Sequence, residues 1–292
     1  MSLMTPSAFV RRVVFPAASV FAFVAAPAAV VHAAASPVEP GPAMSAPLTI
    51  GETFTLQSQT LGETRRINVY RPAVAAPGQP LPVLYMPDGG IGEDFLHIAG
   101  LLQVSSGNGT MRPFLLVGIE NTQRRRDLTG PTEVASDRAI APVVGGSAAF
   151  RAFIRDELMP EIARRYAVTD ETAIVGESLA GLFVMETLAL ASDMFDAYVA
   201  IDPSLWWNHD ALAKGFPALL QAHPDLQAQL FLAHGSEPSI SDVAGRLPEA
   251  LKTSAPSGLR WHYLTLPEET HASVFHPAAL QAFRTLFAPG HD

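Results

Sequence analysis

The chain has 292 residues, 48% hydrophobic and 16% charged, a globular balance that excludes extended disorder for most of its length. Its 19 basic against 28 acidic residues give a net charge of −9, the wrong sign for a protein that binds by releasing phosphate counterions, so no nucleic-acid partner is expected. There is no cysteine, which removes a thiol nucleophile, Cys-ligated zinc and any disulfide framework.

Residues 1–35 read as an export signal. Arg11-Arg12 precede an apolar run from Val13 to Val31, interrupted by Pro16 and Pro27, and small residues follow at Ala33-Ala34-Ala35. Cleavage there removes two arginines and no acid, taking the charge from −9 to −11. The expected location is periplasmic or secreted, without stable membrane insertion; a retained N-terminal anchor is the alternative. Residues 36–47 are a Pro-rich linker, and 48–292 read as one domain.

That domain opens with two strand-like runs, Thr49–Thr60 and Thr64–Tyr70, joined at Leu61-Gly62 as a hairpin. Short apolar strands follow at Leu81–Met86, ending in Asp88-Gly89-Gly90, and at Phe114–Ile119. Apolar residues at helical spacing (Phe150, Phe153, Ile154, Leu158, Ile162) predict a helix over Ala148–Tyr166. Beyond it the chain alternates: strand Thr172–Val175, helix Leu179–Leu190, strands Ala197–Ile201 and Gln229–Ala233, a helix near Val243–Leu251, strand Trp261–Leu266 and helix Pro277–Leu286. Such alternation predicts an α/β fold, its central sheet mostly parallel, with an N-terminal antiparallel hairpin and helices on both faces.

The chemistry concentrates at Ile174-Val175-Gly176-Glu177-Ser178-Leu179-Ala180-Gly181. A strand runs directly into a helix with a serine at the corner, the strained turn that lifts a hydroxyl above a sheet, and small Gly176 and Ala180 let the two elements approach. Such a serine needs a base. His271 fits, on the loop after the last strand, in the chain order nucleophile, acid, base. His276, against Pro277, is the competitor. The expected acid is Glu237, the first carboxylate after strand Gln229–Ala233; Asp242 is the runner-up, and a dyad with no acid is the third option. Oxyanion donors are expected from the backbone N–H of Leu179 and from Gly90, with Gly89 as the alternative. No HExxH or comparable spacing points to a metal, and no cofactor is expected.

Taken together, the chain resembles the putative esterase (esterase D) family of α/β-hydrolases, in particular exported, enterochelin- or siderophore-esterase-like members. The resemblance rests on Leu81–Tyr85 with Asp88-Gly89, Val117–Asn121 with Arg124–Thr129, Gly145-Gly146 with Phe150 and Phe153, the Ser178 corner, Asp202–Trp207 and the His271 segment. It implies Ser178 as nucleophile, His271 as base, and Gly90 with Leu179 as oxyanion donors. Asp202 stands where such proteins usually carry serine and Ala180 where they carry glycine; neither departure is expected to touch the chemistry. The implied activity is serine ester hydrolysis of a small-molecule ester, through an acyl-enzyme, on siderophore-type or other anionic or aromatic esters. Alternatives are an acyltransferase of the same fold, a feruloyl or acetyl carbohydrate esterase and, last, a binding module without catalysis. Arg124-Arg125-Arg126 border the expected crevice, and Arg125 and Arg126 are candidate contacts for substrate charge. Trp206 and Trp207 are a candidate aromatic wall.

Overall fold

The computed structural model describes residues 46–290, so the export signal and most of the linker lie outside the described residues. Eight strands form one sheet in the order β1-β2-β4-β3-β5-β6-β7-β8. β1 (Glu52–Gln57) and β2 (Thr64–Tyr70) are the antiparallel hairpin, and β2 also runs antiparallel to β4 (Leu115–Ile119). The remaining neighbours are parallel: β3 (Leu81–Pro87), β5 (Val168–Glu177), β6 (Ala197–Ile201), β7 (Ala228–His234) and β8 (Leu259–Thr265). This is the mostly parallel α/β sheet with an N-terminal antiparallel hairpin expected from the alternation, and the α/β-hydrolase architecture that the resemblance implies.

Strand alternation divides the core into two layers. Val83 and Tyr85 of β3 pack on one side, with α4 (Ser147–Phe153), α6 (Leu179–Leu190), α7 (Trp207–Gln221) and α9 (Leu247–Ser254). Leu84 and Met86 pack on the other, under α1 (Phe95–Gly107) and α10 (Phe275–Leu286). Helix α1 escaped the sequence pattern because no side-chain cap marks its start and its middle, Ile98–Leu102, is mostly apolar.

The helix predicted over Ala148–Tyr166 is a composite. Between α4 and α5 (Met159–Arg165) the chain makes a π-turn, Ile154–Leu158. Pro160 accounts for it: proline lacks the N–H that would bond four residues back, and its ring needs the room a widened turn supplies. The helix predicted near Val243–Leu251 is two, α8 (Pro238–Ala244) and α9, divided at Gly245-Arg246. On the loop after β4 lie two one-turn helices, α2 (Arg124–Asp127) and α3 (Ala135–Arg138). Among the described residues no helix is long and apolar enough to cross a membrane.

Candidate active site

Three strands end at the same edge of the sheet in a non-glycine residue of positive φ: Asp88 after β3 (57°), Ser178 after β5 (61°) and Asp202 after β6 (45°). Left-handed backbone at such residues is costly and persists only where surroundings impose it; the other three such residues among those described, Asn208, His209 and Asp210, form a kink near the start of α7. At Ser178 the constraint is visible. Its N–H donates to the Ile201 carbonyl at 3.1 Å, and its own carbonyl accepts from Leu182 and Ser204. The crowding expected of this corner is severe: a Cβ on Gly176 would lie 2.5 Å from the Ala180 carbonyl carbon.

His271 reaches the corner from the loop between β8 and α10. That loop is tied back to the β7 exit by bonds from the Ser236 N–H and hydroxyl to the Glu269 carbonyl, both 2.8 Å. His271 Nε2 lies 3.1 Å from Ser178 Oγ, and His271 Nδ1 lies 2.5 Å from Asp202 Oδ2. The other Asp202 oxygen accepts from the Gly235 N–H at 2.8 Å, which fixes the rotation of a carboxylate with no exposed surface. With Asp202 accepting, Nδ1 carries the ring proton and Nε2 is left to accept from the serine. The Asp202 hydrogen bond is the main reason the imidazole is held above its ordinary 6.5.

Neither expected acid bonds the histidine. Glu237 is exposed, precedes α8 and accepts a hydrogen bond from Ser239; Asp242 is exposed on α8 itself. The carboxylate that meets His271 comes not from the β7 exit, where Glu237 and Asp242 lie, but from one strand nearer the serine. Asp202 is the first residue past β6, the direct neighbour of β5, where Glu177 pairs with Ile201. A carboxylate one step beyond that register must stand beside Ser178. The signal in the sequence is Asp202 itself, a carboxylate where the proteins this chain resembles usually carry serine.

A second carboxylate also meets His271. Glu177 Oε1 lies 3.2 Å from Nδ1. Burial, the first cause, pushes this acid up to about 7. Ligand atoms of Glu177, Asp202 and His271 all lie within 4.8 Å of one another, so a cation there would compete for the atoms that hold the imidazole. His276 instead stacks on His97, with ring centroids 4.8 Å apart.

Leu179 is the first residue of α6, so its N–H has no intrahelical acceptor. The two glycines differ. The Gly89 N–H is spent on the Ile119 carbonyl at 3.0 Å, whereas Gly90 donates to Glu93 Oε2 at 2.6 Å. Only the second bond ends on a side chain, the exposed Glu93, whose other oxygen accepts from Asn121 Nδ2 at 2.8 Å.

The arginines separate by role. Arg124 grips Asp88 through Nε and Nη2, at 2.7 and 2.8 Å. Arg126 is held by Glu63 and Asp127, and the wholly buried Arg65 joins the same cluster through Asp127. Arg125 is exposed and has no carboxylate partner among the described residues. It lines a cleft of about 520 Å³ with Gln123, Arg124, Arg126, Ala141, Pro142 and Val143. Trp206 is half-buried against the core, while Trp207 is buried and its indole N–H donates to the Gly130 carbonyl. Trp207 is therefore largely core, showing only an edge to a small cleft of about 160 Å³ that it lines with Gly130, Leu182 and Glu186.

The family described as Putative esterase matches residues 58–263. Ferri-bacillibactin esterase BesA of Bacillus subtilis is 28% identical over 263 residues, covering 82% of this chain and 90% of that protein. A siderophore triacetylfusarinine C esterase of Aspergillus fumigatus is 30% identical over 208 residues, 65% of this chain and 69% of that one. Among solved structures, an IroE-like serine hydrolase from Shewanella oneidensis superposes with a TM-score of 0.71 at 33% identity, covering 81% of this chain and 80% of its own. The BES protein from Bacillus cereus gives 0.74 at 22% identity, over 84% and 98% of the two chains, a likeness of fold.

Proposed function

The chain belongs to the Putative esterase family and is a carboxylic-ester hydrolase; we propose that it works through an acyl-enzyme on Ser178, with His271 as base and Asp202 as the acid that holds it. One observation carries this: the unbroken line from Ser178 Oγ to His271 Nε2, 3.1 Å, and from Nδ1 to Asp202 Oδ2, 2.5 Å. Nε2 takes the hydroxyl proton as Oγ bonds the ester carbon. The imidazolium so formed faces the buried Asp202 carboxylate and returns its proton to the leaving alcohol oxygen. Water then repeats the cycle on the acyl-enzyme, releasing the acid and restoring Ser178.

For the oxyanion, the Leu179 and Gly90 N–H groups are the proposed donors, Gly90 once Glu93 turns aside. A group of the protein already places a carboxylate on that N–H, which is support for an anion-accepting position.

The proposed substrates are siderophore-type esters. The names of the relatives support this class, as does the cleft carrying Arg125, whose guanidinium suits carboxylate or catecholate oxygens. Export, proposed from residues 1–35, would put the enzyme where such esters arrive. The test is hydrolysis of a ferric siderophore ester by the parent and by Ser178→Ala. The variant should lose about four to six decades of kcat while keeping its thermal midpoint. A serine-directed fluorophosphonate should label the parent and not the variant. Activity surviving in Ser178→Ala would put the nucleophile elsewhere.

A further inference from the structure

The carboxyl of Glu177 has no role in the mechanism above, yet it is directed at the base. It ends β5, its side chain retains only 16% of its surface, and Oε1 has no hydrogen-bond donor among the described residues. A buried, unpartnered carboxylate oxygen is expensive, so its position calls for a compensating charge. The nearest candidate is His271 Nδ1, 3.2 Å away. In the resting site that nitrogen gives its single proton to Asp202 at 2.5 Å, and Glu177 gains little. The balance changes when His271 takes the serine proton. The ring then carries a full positive charge, with two carboxylates against one edge. We infer that Glu177 is a positioning residue for the base: a second carboxylate that stabilises the His271 imidazolium alongside Asp202 and can hold Nδ1 when Asp202 is absent.

The surrounding charges agree with a group poised between its two states. Asp202 from the end of β6 and Asp94 from the start of α1 oppose its ionisation; His271 and Arg124 favour it, though Arg124 is already engaged by Asp88. Glu237 from the β7 exit acts on His271 from farther off. Glu177 sits near neutrality, at about 7, so its countercharge is present above that pH and fades below it.

This inference rests on the Ser178–His271–Asp202 reading, and the experiment separates the two. Glu177→Gln, Asp202→Ser and the double variant are compared by kcat/KM across pH, with fluorophosphonate labelling of Ser178 and thermal midpoints alongside. In Glu177→Gln the acid limb assigned to His271 should move to lower pH by about half a unit or more, because one carboxylate that raises its proton affinity is gone. A packing role alone would not move that limb. Asp202→Ser should retain activity that the double variant loses by a further tenfold or more, with Glu177→Gln alone costing less than tenfold. Glu177→Met, of similar length and uncharged, repeats the test if the amide disturbs folding. An unmoved acid limb together with equal activity in Asp202→Ser and the double variant overturns the role of Glu177 while leaving Ser178 labelled. A parent enzyme in which Ser178 is not labelled takes down the catalytic reading with it.

Discussion

Asp202 shows how much one residue's backbone decides. Its φ of 45° turns the chain sharply at the end of β6, and the Gly235 N–H then sets which oxygen faces His271. Asn at this position would keep the shape but present an amide N–H to Nδ1, favouring the wrong tautomer. Asp202→Asn should therefore cost about four decades of kcat, whereas Glu237→Gln should cost less than threefold; steady-state rates on a simple ester decide it. The opposite ranking would return the acid to the β7 loop. The same bond governs pH dependence. Because Asp202 stabilises the protonated ring and holds His271 above the ordinary 6.5, a His271 acting as the proposed base should make kcat/KM fall as pH drops through that raised value. In Asp202→Asn the limb should shift towards 6.5 or below. A pH–rate profile locates both.

At the scale of elements, the corner between β5 and α6 depends on the absence of a side chain. Gly176 faces the first turn of α6 at a distance no Cβ tolerates, so Gly176→Ala forces strand and helix apart. Overpacking of this kind costs about 1–3 kcal/mol, read as a lowered midpoint in denaturant. Activity should suffer more than stability, since displacing Ser178 by about 1 Å costs on the order of a hundredfold. The loop after β4 is secured differently. Buried Arg65 reaches from β2 to Asp127 and Glu63, its guanidinium 5.1 Å from the Phe150 ring centroid, and Arg126 closes the cluster. Two of the three consecutive arginines are thereby committed to holding the loop on which the third is displayed.

For the whole molecule, the charge distribution is a test of substrate class. The net charge of −9 repels anions at long range, so recognition of an anionic ester needs a local cation, and the exposed Arg125 at its cleft is the proposed one. Arg125→Gln should lower kcat/KM for a ferric siderophore ester by about tenfold to a hundredfold and leave a neutral p-nitrophenyl ester nearly untouched. The difference should shrink as salt rises, because the cleft borders solvent. Equal losses on both esters would make Arg125 part of the scaffold. Replacing Arg124 or Arg126 is a poorer probe, since each change also releases a paired carboxylate.

What the chain's own order determined was the alternation of apolar strands and amphipathic helices, the strand–serine–helix corner, and a histidine beyond the last strand. Each is local: period, turn chemistry and small residues at fixed offsets are properties of a few consecutive positions. The carboxylate that meets His271, the committed arginines and the burial of Trp207 are not local. Two carboxylates, Asp202 and Glu237, follow successive strands with similar credentials in sequence. Only the pairing of β6 directly against β5, in the register of Glu177 with Ile201, sets one beside Ser178 and leaves the other in solvent. The sheet order also brings Asp88 to Arg124, and β2 beside β4 brings Arg65 to Asp127. Partners separated by dozens of residues meet through strand pairing, and no pattern in the intervening chain records which pairing will form.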